Sequence, residues 1–189
     1  MFTNSLVHLT RERTGSPLQE NASDNDQEYS ALDVLCEILN SGKILGSNNK
    51  GYVKGTETAV CFTECPLSSV KLFASNEDEA KYRYYGIAIS KGAAFDNGAR
   101  PVIYLPDNEG AWIPEIQRWR QVRFEYGVVD WTFEREWRKK GDLVLKQLPG
   151  IYIIHWNPNE KKQLEKALHK DLKKKIRGYL PMEHLNQMF

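Results

Sequence analysis

Tyr84-Tyr-Gly-Ile-Ala-Ile-Ser90 and Arg100-Pro-Val-Ile-Tyr-Leu105, joined by a connection with Gly92 and Gly98, decide the fold class. Each is a short apolar run rich in β-branched and aromatic residues and bounded by breakers, the pattern of a strand. Upstream, Leu6-Val-His-Leu-Thr10 alternates and places Leu6, His8 and Thr10 on one face, and Thr58-Ala-Val-Cys-Phe-Thr63 reads as a strand halted by Pro66. Downstream, Trp131–Arg138 reads as extended, and Ile151-Tyr-Ile-Ile-His-Trp156 is the last strand before the Asn157-Pro158-Asn159 turn.

Helices fill the intervals. From Gln27 the spacing of Tyr29, Leu32, Leu35, Ile38 and Leu39 is helical, with Asp24 or Asp26 as cap and Gly42 as stop. A further helix is expected around Leu67–Lys81, and Pro114 opens one carrying Ile116, Trp119 and Val122. The tail from Glu160 to Arg177 reads as one amphipathic helix with Leu164, Leu168, Leu172 and Ile176 in a row. Arg11–Glu28 is polar and reads as a long loop, the kind that serves as a lid or binding loop. The expected class is α+β.

Composition narrows the functional classes. The chain has 189 residues, 41% of them hydrophobic, which fits one packed domain rather than a disordered chain. With 26 basic and 25 acidic residues, overall charge points to no polyanionic partner. The first residues lack the basic and apolar stretches of a signal peptide, and no run approaches the ~18 apolar residues of a membrane helix. Three cysteines, Cys36, Cys61 and Cys65, sit in apolar segments and suit a reducing, cytoplasmic setting. Cys61-Phe-Thr-Glu-Cys65 lacks zinc-knuckle spacing, and the common phosphate-loop and hydrolase motifs are missing from the sequence.

The chemistry concentrates in Asp130-Trp-Thr-Phe-Glu-Arg-Glu-Trp-Arg138. As a strand it would put Glu134, Glu136 and Arg138 on one face, a charged site able to bind ribose hydroxyls and stabilise positive charge on a sugar carbon. The plainer alternative is a solvated strand face whose charges balance. His8, mid-strand beside Thr10, either orients a ligand or is a satisfied half-buried histidine. Arg118-Trp-Arg-Gln-Val-Arg123 interleaves cations and aromatics in a way that suits nucleic acid, as does the tail, with eight Lys and Arg against four Asp and Glu after residue 159. Both are equally readable as ordinary solvated faces.

Leu-Val-His8-Leu-Thr10, the helix ending Ile-Leu-Asn-Ser-Gly42 and Val-Cys-Phe-Thr63-Glu-Cys-Pro resemble the opening of DarT-like ADP-ribosyltransferases. Tyr-Gly86-Ile-Ala-Ile-Ser-Lys91, Arg-Pro-Val-Ile-Tyr104 and Phe-Glu-Arg-Glu136-Trp-Arg138 resemble the AbiGi family of abortive phage infection proteins. The resemblance covers residues 6 to 140. It implies a split, mostly antiparallel sheet of the ADP-ribosyltransferase type with flanking helices: a domain over 1–158, with 11–28 an insertion loop, and a basic C-terminal helix over 159–189. It also implies NAD as co-substrate in the cleft, with Glu136 catalytic and Glu134 engaging the acceptor. His8, Thr10, Thr63 and Tyr85 would hold NAD, and Arg118, Arg120, Arg123 and Arg138 the substrate. The implied role is a toxin or effector of a phage-defence or toxin–antitoxin system, modifying nucleic acid or protein and paired with a cognate antitoxin. Two other readings compete: a non-enzymatic antitoxin or binding module that grips its partner through the basic aromatic segment and tail, and a hydrolase working through Glu134, Glu136 and His155.

Overall fold

In the computed structural model, which describes residues 4–18, 26–48, 52–70, 74–75, 80 and 82–183, the first strand β1 (Ser5–Leu9) becomes the middle of the main sheet. In chain order there follow β2 (Arg13–Thr14), β3 (Glu28–Tyr29), α1 (Ala31–Ser41), β4 (Lys43–Ile44), β5 (Ala59–Thr63) and α2 (Leu67–Val70). Then come β6 (Gly86–Ser90), α3 (Lys91–Asp96), β7 (Ala99–Pro101), β8 (Ile103–Leu105), β9 (Gln121–Arg123), β10 (Glu136–Lys140) and β11 (Leu143–Val144). Last are β12 (Ile151–His155), α4 (Lys161–Ala167) and β13 (Ile176–Pro181). The class is α+β, with seven strands in the order β13-β12-β6-β1-β5-β10-β7 and every pairing antiparallel except β12 with β13.

The sheet is split at its centre. β1 pairs with β6 over five residues, Ser5 to Leu9, and β10 pairs with β5 over five, Glu136 to Lys140. Between the halves, β1 and β5 share one register pair, Val7 with Thr63. The imidazole of His8 takes up part of the gap: its Nδ1 lies 2.9 Å from the carbonyl of Cys61. The β1–β6 half is locked by close backbone approach, since a Cβ on Gly86 would collide with the carbonyl oxygen of His8.

The apolar faces explain the packing. α1 turns Val34, Leu35, Ile38 and Leu39 toward Leu6, Phe62, Ile87, Ile89 and Ile153 in one core. It starts at a capping box, in which Ser30 Oγ accepts from the Asp33 amide and the Asp33 carboxylate accepts from the Ser30 amide. The sequence reading starts this helix at Gln27. Instead Glu28–Tyr29 pair with Arg13–Thr14 as a small ribbon, which ties down both ends of the Arg11–Glu28 segment, and Asp26 precedes it. Asp24 lies outside the described residues.

Four further expectations are corrected. Among the described residues the expected helix around Leu67–Lys81 is helical over α2 but not at Ala74, Ser75 and Ala80, and Lys81 lies outside them. The segment after Pro114 is a 3₁₀ turn, Glu115–Arg120, followed by β9, because Val122 pairs into a parallel ribbon with β8. Trp131–Arg138 is not one strand: Thr132–Glu134 is a 3₁₀ turn, and Arg135 is left-handed with φ 48° before β10 begins.

The tail is likewise no single C-terminal helix. α4 ends at Ala167, and β13 adds an edge strand to β12. The ladder hydrogen bonds along Ile151–His155 outweigh the helix propensity of the lysine-rich run. The row read from the sequence still faces inward, with Leu164 and Leu172 buried and Leu168 and Ile176 packed against the core. No helix among the described residues is long and apolar enough to cross a membrane.

Candidate functional site at the split of the sheet

Where β1 and β5 part, a cleft of about 610 Å³ opens, lined by β1, the Arg11–Arg13 stretch after it, β5, β10 and the turn before β10. Four residues singled out in the sequence line it together: His8, Thr63, Glu134 and Glu136; Arg123 and Arg138 line it as well. Register accounts for one wall. Glu136 lies opposite Thr63 and Arg138 opposite Cys61, so all four side chains rise from the same face of β5 and β10. Glu134 reaches the cleft by another route, because the left-handed Arg135 reverses the chain before the strand.

His8 is neutral here. Burial first, then the charge of Arg13, lowers its pKa from 6.5 to about 4 against the opposing bond to Cys61. A carbonyl oxygen only accepts, so Nδ1 carries the proton and Nε2 is left as an acceptor. Glu136 is held by Arg138, whose Nε is 2.7 Å from one carboxylate oxygen and whose Nη2 is 3.4 Å from the other. The Glu136 amide donates to the Tyr104 hydroxyl at 2.9 Å. Arg138 donates further to the carbonyls of Trp119, Gln121 and Tyr52, at 2.9, 3.4 and 3.5 Å. It opposes its own burial through Cys61 and Glu136, which keep its pKa above the usual value. Arg138 therefore orients Glu136 rather than standing free for a substrate.

Thr63 is engaged in the same frame. Its hydroxyl donates to the Glu134 carbonyl and accepts from the Cys65 amide at 3.1 Å, while Cys65 Sγ donates to the Phe133 carbonyl at 2.8 Å. These bonds fix the turn that carries Glu134. Burial first, and the Glu136 carboxylate next, push the Cys61 thiol up to about 12, so it is no nucleophile at neutral pH. Burial and the two nearby glutamates also raise the Tyr82 phenol on the cleft wall.

Other expected site residues lie elsewhere. Thr10 is buried and donates to the carbonyls of Ala31 and Tyr85, at 2.8 and 3.2 Å, tying β1 to α1. Tyr85 does not line the cleft and donates to Glu160 at 2.8 Å, because, one residue before β6, it continues the alternation that sends Ile87 and Ile89 into the α1 core. Arg118 pairs with Glu115 at 3.5 Å, and Arg120 donates to the Pro101 carbonyl at 3.1 Å, both off the cleft wall. His155 is buried beside Tyr179, outside the cleft, which separates it from Glu134 and Glu136.

Two groups escaped the sequence reading. Arg11 and Arg13 line the cleft, and their spacing of two continues the alternation of β1; that was their signal. Glu64, one residue past β5, carried no pattern, yet it accepts from Lys91, Arg135 and the Trp137 indole at 2.7, 3.0 and 2.8 Å. Among the described residues no cluster of three His, Cys, Asp or Glu is placed to hold a metal ion. Compared with known proteins, the chain matches no family model, no curated protein and no solved structure.

Proposed function

We propose that the chain is an NAD-dependent ADP-ribosyltransferase with its active centre in the split of the sheet. The observation that carries this reading is the convergence of His8, Glu134 and Glu136 on one cleft between two half-sheets. Cleaving the nicotinamide–ribose bond builds positive charge on the sugar carbon. A carboxylate fixed in advance stabilises that charge more than it stabilises the ground state. Glu136, oriented by Arg138, is the candidate for a hydrogen bond to the ribose 2′-hydroxyl, and Glu134 for contact with the acceptor. The acceptor of His8 at Nε2 suits an amide or hydroxyl donor of NAD. Thr63, with its hydroxyl committed to the Glu134 turn, acts by positioning that turn, and Tyr85 and Thr10 have no part in holding NAD.

In this reading the chain acts as an effector that modifies nucleic acid or protein, the role implied by the likeness to DarT-like proteins. The non-enzymatic alternative calls for a filled or closed cleft and an exposed Arg118–Arg123 face. The cleft is open, and Arg118 and Arg120 are half-buried and held by Glu115 and the Pro101 carbonyl, while Arg123 is exposed beside Glu125.

Calorimetric titration of NAD into wild type and Glu136→Gln, with nicotinamide measured alongside, tests the proposal. Both proteins are expected to bind, and the variant to release nicotinamide more slowly than wild type by about 10²–10³. Wild type that neither binds NAD nor releases nicotinamide would discard the reading.

A further inference from the structure

Among the described residues the cleft wall carries five cationic side chains, Arg11, Arg13, Lys54, Arg123 and Arg138, and three of them pair with a carboxylate. Lys54 pairs with Asp107, Arg123 with Glu125 at 2.6 Å and Arg138 with Glu136 at 2.7 Å. Arg13 differs. Its backbone is fixed by pairing with Tyr29 in the β2–β3 ribbon, and its side chain is partly buried on the cleft wall. Its Nε is buried and has no hydrogen-bond partner among the described residues. Arg11 lies close enough to repel it.

A guanidinium withdrawn from water beside a second one, with no carboxylate among the described residues to answer it, is unfavourable unless an anion completes the site. We propose that Arg13, with Arg11 adding charge, is the phosphate-binding station of this cleft, and that it takes the diphosphate of a nucleotide.

Three observations support the assignment. The guanidinium fork matches two phosphate oxygens at once, which a lone ammonium does not. Arg13 remains charged at neutral pH, its pKa pushed down only to about 10, by burial first and by Arg11. It also lines the same cleft as the candidate sugar site. Arg13 acts on His8, His8 bonds Cys61, and Cys61 neighbours Glu136, a run of neighbours that links the cationic stretch to the carboxylates. A dinucleotide such as NAD lying in this cleft would put its diphosphate at Arg13 and its nicotinamide ribose toward Glu136. The assignment deepens the transferase reading and rests on it for the sugar end; the anion site is testable without it.

The experiment is calorimetric titration of ADP, inorganic pyrophosphate and adenosine into wild type and Arg13→Gln, at two salt concentrations, with a short single-stranded oligonucleotide as competitor. ADP and pyrophosphate are expected to bind wild type, adenosine more weakly. Arg13→Gln is expected to lose ADP affinity by about 10- to 100-fold and most of its salt dependence. Unchanged ADP affinity in the variant overturns the assignment, as does wild type that ignores both ADP and pyrophosphate. An oligonucleotide that binds through Arg13 while ADP cannot displace it overturns it too.

Should the variant not fold, wild type alone decides. Bound ADP is expected to protect Arg13 from phenylglyoxal, read by peptide mass spectrometry, and equal labelling with and without ADP removes the proposal. NAD cleavage with no role for Arg13 would leave only the transferase reading standing. Arg13-dependent ADP binding with no NAD cleavage would leave only this one.

Discussion

Glu64 accepts a hydrogen bond from the Arg135 guanidinium at 3.0 Å, and its amide donates to the Arg135 carbonyl at 3.3 Å. Arg135 is the left-handed residue between the two cleft glutamates, so Glu64 clamps the one backbone reversal that lets Glu134 and Glu136 share a cleft. A non-glycine residue at φ 48° persists only when its surroundings hold it there. Lys91 and the Trp137 indole brace the carboxylate from the other side.

Glu64→Gln is expected to lower unfolding free energy by about 1–3 kcal/mol, because an amide cannot answer two partly exposed cations at once. Urea denaturation measures it. Burial alone would raise the Glu64 pKa, but Lys91, Trp137 and Arg135 hold it below the usual carboxylate value. The contribution is therefore present above the ordinary carboxylate range and is lost as pH falls through the lowered pKa. Stability identical to wild type at neutral pH would show that the clamp does not hold the turn.

His8 gives a second pH signature at higher pH. Its pKa is 6.5 when unfolded and about 4 when folded, so the unfolded state takes up the proton first. Stability is full above pH 6.5 and falls as pH drops from 6.5 toward about 4, by a total of a few kcal/mol. His8→Gln should flatten the profile in that window. The ring resonances of His8, followed by NMR, should titrate near 4; a midpoint near 6.5 would contradict the neutral, half-buried imidazole.

Glu136 and Arg138 form a buried pair, with side chains 10% and 3% exposed. Arg138→Met is expected to cost about 3–5 kcal/mol, since it strands Glu136 and leaves three backbone carbonyls without their donor. Glu136→Gln keeps an acceptor for Arg138 and should cost less, about 1–3 kcal/mol. Chemical denaturation of the two variants ranks them; the reverse order would mean that Arg138 does not organise this wall.

Gly86→Ala tests the close approach of β6 to β1. The added methyl meets the His8 carbonyl oxygen, and the ladder must shift to relieve it. A loss of about 1–3 kcal/mol is expected by the measure of overpacking, with the His8 resonances displaced. A thermal midpoint equal to wild type would show that the strands are not held this tightly.

How far the sequence reaches is visible residue by residue. Alternation located β1, β5, β6 and β12, and 3.6-residue spacing located α1 and its Gly42 stop, because burial on one face writes a period into the chain. The same logic found the inward row Leu164, Leu168, Leu172 and Ile176, yet mistook its geometry. Only a partner strand, Ile151–His155, makes that stretch end as β13. Residue type likewise nominated His8, Glu134 and Glu136, but not Glu64 or Arg13, whose importance lies in what stands beside them.

Composition and periodicity by themselves determined an α+β chain whose apolar faces must meet and whose charged segment before Arg138 could not be core. The tertiary structure decided the rest: that β1 and β5 touch at one pair, that Arg135 turns left-handed, and that Tyr85 and Thr10 face the helices while Arg13 faces the cleft. Burial and patterning act locally along the chain. The splitting of a sheet and the pairing of charges depend on contacts between residues some 50 to 130 positions apart, such as His8 with Cys61 and Val7 with Thr63, which no local period encodes.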